Sequence, residues 1–168
     1  AGCPYTLRST DGVHADIQGA NTRFPWAGAS KGQSLTAQST PEAELASLNA
    51  GMKDRGEPAI SIWQKILSHW KPSGWQIKIN LQEDNTTAIH GVRTGKNPTM
   101  KTLERNFGVK VGYMHEQVCG TGDDGPPSPF TLVHTASRHM SADIYTKGFT
   151  DKALFSTLKQ MINVYSTE

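Results

Sequence analysis

Trp75-Gln-Ile-Lys-Ile-Asn-Leu-Gln-Glu-Asp-Asn-Thr-Thr-Ala-Ile89 is the stretch on which the fold turns. Ile77, Ile79 and Leu81 alternate with Lys78 and Asn80, the period-2 pattern of a strand with one apolar face. The alternation stops at Glu83-Asp84-Asn85. Asn85 or Thr86 can cap a helix, and Ala88, Ile89 and Val92 follow at helical spacing. Asp84 therefore stands at the C-terminal end of a strand, where open α/β sheets place their sites. Its plainer role is that of a turn or capping residue.

Upstream, residues 1–12 hold Gly2, Pro4, Asp11 and Gly12 and read as a turn. Residues 13–18 are a short strand; 23–29 and 33–38 read as a further strand or a bulged one, broken by Gly28 and Gly32. Ser39-Thr40-Pro41-Glu42 starts a helix: Ser39 or Thr40 caps, Pro41 suits the first turn, and Glu42 stands where a capping box has its acid. That helix carries Leu45, Leu48 and Met52 and is expected to stop at Gly56-Glu57-Pro58. Ile60, Trp63, Ile66, Leu67 and Trp70 form a second amphipathic helix, with Trp63 and Trp70 read as core, closed by Pro72-Ser73-Gly74.

Downstream, Gly95-Lys96-Asn97-Pro98 breaks the chain. Leu103, Phe107, Val111, Met114 and Val118 read as one helix, weakened by Gly108 and Gly112 at about 1 kcal/mol each. Residues 119–129 read as a flexible loop, 130–134 as a last strand and 141–148 as a short helical or turn segment carrying Asp143. Leu154 to Tyr165 supply the apolar face of a C-terminal helix.

The chain has 168 residues, 36% hydrophobic and 19% charged, with a net charge of +2; the pI is about 8.6 and the mean hydropathy −0.50. This is the composition of one soluble domain, 1–168, with a core of its own. The mild positive charge permits an anionic partner without demanding one. No apolar run approaches a membrane span, and the N-terminus has no apolar signal region. Two cysteines, Cys3 and Cys119, make neither a zinc site nor a disulfide framework. The expected location is intracellular, cytoplasmic or nuclear. Beginning at Ala1 rather than Met, the chain reads as processed or excised from a longer one.

The order of elements is strands, a Glu-bearing helix, a strand ending in Asp, helices, a strand, and an Asp-bearing segment. Five segments share a further likeness. Gln38-Ser-Thr-Pro-Glu-Ala-Glu-Leu-Ala-Ser-Leu48 resembles the Ser-Ser-x-Glu-Ala-Glu-Tyr-x-Ala-Leu helix of the ribonuclease H domains of copia-type retrotransposon Pol polyproteins. Asp84-Asn-Thr-Thr-Ala-Ile89 resembles their Asp-Asn-x-Ser-Ala-Ile, and Gly95-Lys-Asn-Pro98 their Ala-Lys-Asn-Pro. Ser141-Ala-Asp-Ile-Tyr-Thr-Lys147 resembles their Leu-Ala-Asp-Ile-x-Thr-Lys. Ala1-Gly-Cys-Pro-Tyr-Thr-Leu-Arg-Ser-Thr10 resembles their Ala-Gly-Cys-x-x-Thr-x-Arg-Ser-Thr. Each match is modest alone; all occur in the family's order from Ala1 to Lys147.

The resemblance implies an α/β fold, a ribonuclease H-like mixed sheet flanked by helices. It implies two-metal hydrolysis of the RNA strand of RNA–DNA hybrids, with two Mg²⁺ held about 3.5–4 Å apart by carboxylates. Mg²⁺ takes hard oxygen ligands and keeps several waters, so Asp and Glu suit it. The carried-over catalytic and metal-holding residues are Glu44, Asp84 and Asp143. Glu44 is chosen over Glu42 because it precedes Leu45, as the family's ligand precedes its aromatic or Leu. His134 and His139 precede Asp143, as does an auxiliary His of some ribonucleases H; their plainer role is that of solvated loop histidines. Arg93, Lys96, Lys101 and Arg105, with Lys110, set five positive charges against Glu104 and could track phosphates; the plainer role is a solvated face.

The chain also departs from the family. The family's first ligand, an Asp, lies ahead of the Ala-Gly-Cys segment and is absent here, so hydrolysis is expected to be impaired and the first, central strand to be largely missing. The 13–18 and 75–82 strands would then each lose a neighbour, unless another protein chain supplies the strand. Lys101 stands where the family has a His, and 119–129 is longer than expected. These departures imply a second function: a non-catalytic, retrotransposon-derived structural or accessory subunit of a larger assembly.

Overall fold

The computed structural model describes residues 5–9, 12–18, 23–30, 37, 39–70, 77–96, 103–120 and 127–165. Its centre is a mixed five-stranded sheet of β1 (Tyr5–Ser9), β2 (Gly12–Gln18), β3 (Arg23–Ser30), β4 (Ile79–Glu83) and β5 (Phe130–His134), in the order β3-β2-β1-β4-β5. The pairs β1–β2 and β2–β3 are antiparallel, whereas β1–β4 and β4–β5 are parallel. Among the described residues six α-helices join the sheet: α1 (Thr40–Gly51), α2 (Glu57–Ser68), α3 (Thr86–Thr94), α4 (Leu103–Phe107), α5 (Val111–Cys119) and α6 (Lys152–Met161). The chain is thus mixed α/β. No helix among the described residues is long and apolar enough to cross a membrane.

The largest correction lies at the centre of the sheet. Tyr5–Ser9 was expected to be part of a turn, with the middle strand missing. Instead β1 fills that place, pairing Tyr5 to Ile17 on one side and to Ile79 on the other. The strands expected to lose a neighbour are therefore joined through β1, and no donated strand is needed between them. Tyr5 and Thr6 favour a strand locally, but five residues among turn formers do not mark a central one; its backbone groups are satisfied by partners distant in sequence, as with Ile79. Residues 33–36 and 38, part of the second expected segment at 33–38, lie outside the described residues. β3 itself runs through Gly28 rather than breaking there.

Ser39 caps α1 as expected, its hydroxyl accepting the Glu42 N–H at 3.4 Å. The expected stop at Gly56-Glu57-Pro58 does not occur. A π-helical turn, Met52–Gly56, carries the chain into α2. The Glu57 N–H reaches back to the Met52 carbonyl, and Pro58 falls in the first turn of α2, where its missing N–H costs little. The single helix expected from Leu103 to Val118 is instead α4 and α5. Gly108 takes φ +63°, the left-handed conformation that ends a helix, while Gly112 stays within α5.

One face of the sheet carries the core. Leu45, Leu48 and Met52 pack with Ile79 and Leu81, with Ala88, Ile89 and Val92 of α3, and with Met114, Phe130 and Leu132. The opposite face is covered by a 3₁₀ turn, Ser141–Tyr145, which contacts β1, β2 and β3 and is backed by α6. Trp63 packs partly against the core, but Trp70, expected to be core, is 82% exposed.

Gly56 tests the π turn. A Cβ there would lie 2.7 Å from Phe130 Cε1, and Phe130 is only 2% exposed. Gly56→Ala gains roughly 0.5–1 kcal/mol of helix preference, but overpacking a closed core costs about 1–3 kcal/mol. The variant is therefore expected to melt a few degrees lower by calorimetry, at about 2–4 °C per kcal/mol for a chain of this size. A Tm at or above wild type would show that Phe130 can yield.

Candidate metal centre

The alternation of β4 runs one step further than the sequence suggests. Ile79, Leu81 and Glu83 are all buried, so Glu83 lies within the strand and not in the turn. Asp84 follows at the strand's carboxyl end, and Asn85 caps α3 by accepting the N–H groups of Thr87 and Ala88 at 3.0 and 3.1 Å. α1 contributes Glu44 from the flank of its core face, beside buried Leu45. One carboxylate oxygen from each of Glu44, Glu83 and Asp84 lies within 4.8 Å of the others, so this group could hold a metal ion.

Glu83 is the least expected member. It is fully buried. Its Oε1 accepts the Asn85 N–H at 3.0 Å, while Oε2 is buried with no hydrogen-bond partner among the described residues. Burial pushes the Glu83 carboxyl up to about 8, helped by the charges of Glu44 and Asp84; the N–H groups of Asn85 and Asp84 work against this. A buried acceptor facing other carboxylates is costly unless a proton or a cation reaches it. A hard divalent cation suits this all-carboxylate donor set.

Asp84 is half-buried, and its Oδ2 accepts the Ser137 hydroxyl at 2.6 Å. Ser137 belongs to a short 3₁₀ turn, Ser137–His139, on the path from β5 to Asp143. Asp143 is 4% exposed on the 3₁₀ turn that covers the sheet. It lies outside the three-carboxylate group and is paired with Lys147, whose Nζ is 2.8 Å from Asp143 Oδ2. Burial lowers the Lys147 pKa, but the Asp143 hydrogen bond and the charges of Asp143, Asp84 and Glu44 outweigh it and leave it raised. Tyr145, two residues beyond Asp143, shares a 3.2 Å hydrogen bond with Nδ1 of buried His14 and so fastens the turn to β2.

Of the expected site residues, the structure gathers Glu44 and Asp84, whereas Asp143 lies outside that group and pairs with Lys147. Glu42 is buried in the first turn of α1. His134 ends β5 in register with Glu83 but is exposed, and His139 is exposed and accepts a hydrogen bond from Arg138 at 3.2 Å. Among the basic residues, Lys96 and Arg105 are exposed, and Lys101 lies outside the described residues. Arg93 Nη2 donates to the Leu132 carbonyl at 3.3 Å, which gives it a structural task on β5. Glu83 was missed as a site residue. The sequence did hold a signal for Glu83, since positions 79, 81 and 83 share one strand face.

Comparisons with protein-family models, with curated proteins and with solved structures return no match to this chain.

Proposed function

We propose that this chain is a divalent-metal-dependent ribonuclease of the ribonuclease H class, similar to those of copia-type retrotransposons, that hydrolyses the RNA strand of RNA–DNA hybrids. The observation that carries the reading is the convergence of Glu44, Glu83 and Asp84 within 4.8 Å at the carboxyl end of β4, with a buried Glu83 oxygen lacking a hydrogen-bond partner among the described residues. The topology supports it: the fold implied by the motifs puts its first strand between the hairpin partner and the strand leading to Asp84, the place of β1. The resemblance implies four metal-holding carboxylates, the first ahead of Ala1. Glu83 is a further carboxylate within reach of Glu44 and Asp84.

Divalent ions held by such carboxylates supply Lewis-acid stabilisation of a phosphoryl oxygen and an activated water, and Mg²⁺ fits the oxygen donors. The chain's own contribution is to hold those donors in place. The Asn85 N–H fixes one oxygen of Glu83, and the Ser137 hydroxyl fixes one of Asp84. Glu44 comes from a helix anchored in the core through Leu45 and Leu48. The proton that Glu83 retains in the metal-free state is the one released when a cation takes that place.

The test is cleavage of a labelled RNA–DNA hybrid by the full chain. Cleavage is expected in Mg²⁺ and not in excess chelator, with RNA alone and DNA duplex spared. Absence of both cleavage and Mn²⁺ binding would overturn the reading and leave the non-catalytic subunit. The basic surface gives a separate prediction. Lys96→Ala should weaken hybrid binding, measured by fluorescence anisotropy, and flatten its log–log salt dependence by about one unit. An unchanged slope would leave Lys96 as a solvated surface residue.

A further inference from the structure

We infer that this centre holds a single divalent ion, on Glu44, Glu83 and Asp84, and that Asp143 is a structural residue and not a metal ligand. This rests on the centre being a metal site; the resemblance implies two ions and gives Asp143 to them. Oxygens bound to one Mg²⁺ at about 2.1 Å lie roughly 3–4 Å from one another. One oxygen from each of the three carboxylates lies within 4.8 Å of the others, so a small closing brings all three onto one ion. Glu83 most needs that ion: it is 0% exposed, and its Oε2 has no hydrogen-bond partner among the described residues. Three protein oxygens leave about three of the six octahedral places of Mg²⁺ for water, which it gives up reluctantly.

A second ion about 3.5–4 Å away needs donors of its own. Two of the carboxylates have an oxygen engaged within the chain. Glu83 Oε1 accepts the Asn85 N–H at 3.0 Å, and Asp84 Oδ2 accepts the Ser137 hydroxyl at 2.6 Å. Asp143 does not make up the shortfall. It lies outside the group, and its Oδ2 is 2.8 Å from Lys147 Nζ. Its turn is also fixed against the opposite face of the sheet from Glu83. There the Tyr145 hydroxyl bonds to His14 at 3.2 Å, and a Cβ at Gly28 would clash with that hydroxyl, so the turn sits directly on β2 and β3. Asp143 therefore serves the turn, where it pairs with the lysine four residues on.

The experiment titrates the full chain with Mn²⁺ in the absence of nucleic acid. Free and bound ion are counted by electron paramagnetic resonance, and cooperative melting in excess chelator confirms that each variant folds. Wild type is expected to saturate at a single Mn²⁺ per chain. Glu83→Gln should bind more than about 100-fold more weakly, because losing a ligand costs more than losing a residue that supports one. Asp143→Asn should stay within about twofold of wild-type affinity, as sites that share no partner do, and show its cost in a lower melting temperature. Lys147→Gln takes the ammonium from Asp143 and should still bind a single ion. Two ions in wild type, or a second ion in Lys147→Gln, would overturn the inference and leave the metal reading standing. So would wild-type affinity in Glu83→Gln, or a folded Asp143→Asn that binds more weakly than stated. If Asp143→Asn does not fold, the ion counts of wild type and Lys147→Gln still decide. No Mn²⁺ binding by wild type would remove the metal reading itself, and this inference with it.

Discussion

Asp84→Asn is expected to lower metal-dependent cleavage of an RNA–DNA hybrid by more than about 100-fold while leaving the fold intact. The size follows from the role proposed for the carboxylate: charge stabilisation by a held metal is worth several kcal/mol, and each 1.36 kcal/mol is about a tenfold change in rate. The intact fold follows from the structure. Asp84 is only half-buried, and the amide keeps an oxygen able to accept the Ser137 hydroxyl that now bonds Oδ2 at 2.6 Å. Mn²⁺ affinity should fall with activity, while the melting temperature in chelator should hold or rise, because one like charge beside Glu83 is gone. Ser137→Ala provides the graded control. It removes the group that orients Asp84 and should cost roughly 10–100-fold, the usual effect of a residue supporting a metal ligand. Full activity of Asp84→Asn would remove Asp84 from the chemistry and leave it as the residue between a strand and a helix cap.

Glu83→Gln should stabilise the metal-free protein at alkaline pH and destroy its response to metal. The Glu83 carboxyl is raised from 4.5 to about 8, chiefly by burial and then by Glu44. Between those values the folded chain binds one more proton than the unfolded chain, so wild-type stability falls as pH rises through that window. The stabilising protonated state is fully present below about pH 4.5 and lost above about pH 8. At 1.36 kcal/mol per pKa unit the total is roughly 3–5 kcal/mol. Gln does not titrate, keeps an acceptor for the Asn85 N–H, and offers an N–H₂ toward Glu44. Wild type and Glu83→Gln should therefore melt alike near pH 4.5 in chelator and diverge steadily toward pH 8, with the variant higher. Added Mg²⁺ at pH 8 should raise the wild-type Tm and leave the variant's unchanged. A gap that does not vary with pH would show that Glu83 is ionised without penalty and that its burial is relieved in some other way.

The candidate site was legible in part, and the parts differ in kind. Asp84 could be placed because a strand alternation and an asparagine cap meet on either side of it, both short-range signals. Glu44 and Asp143 came from motif likeness; the structure then set Glu44 within reach of Asp84 and left Asp143 outside that group, paired with Lys147. The alternation was read as stopping at Glu83, because a charged residue at the end of an apolar alternation reads as its end. The strand continues through it because β5 pairs with it at His134, and its carboxylate faces Glu44 from a helix about forty positions earlier. That Lys147 pairs with a buried acid was not legible, since an i,i+4 Asp–Lys pair looks the same in sequence whether its acid is exposed or buried.

By itself the sequence determined where several elements start and stop. Ser39 and Asn85 cap α1 and α3, Gly95 ends α3 at φ +66°, and residues 79–81 and 130–134 lie in strands, because caps, turns and periodicity act over about one to four residues. Only the tertiary structure decided that Tyr5–Ser9 forms the central strand, that the helix passes Pro58 through a π turn, and that three carboxylates, Glu44, Glu83 and Asp84, come together. The physical reason is common to all three. A central strand's hydrogen bonds, the room for a π turn against Phe130, and the charge state of a buried carboxylate are set by groups distant in sequence, and these meet only when the chain folds.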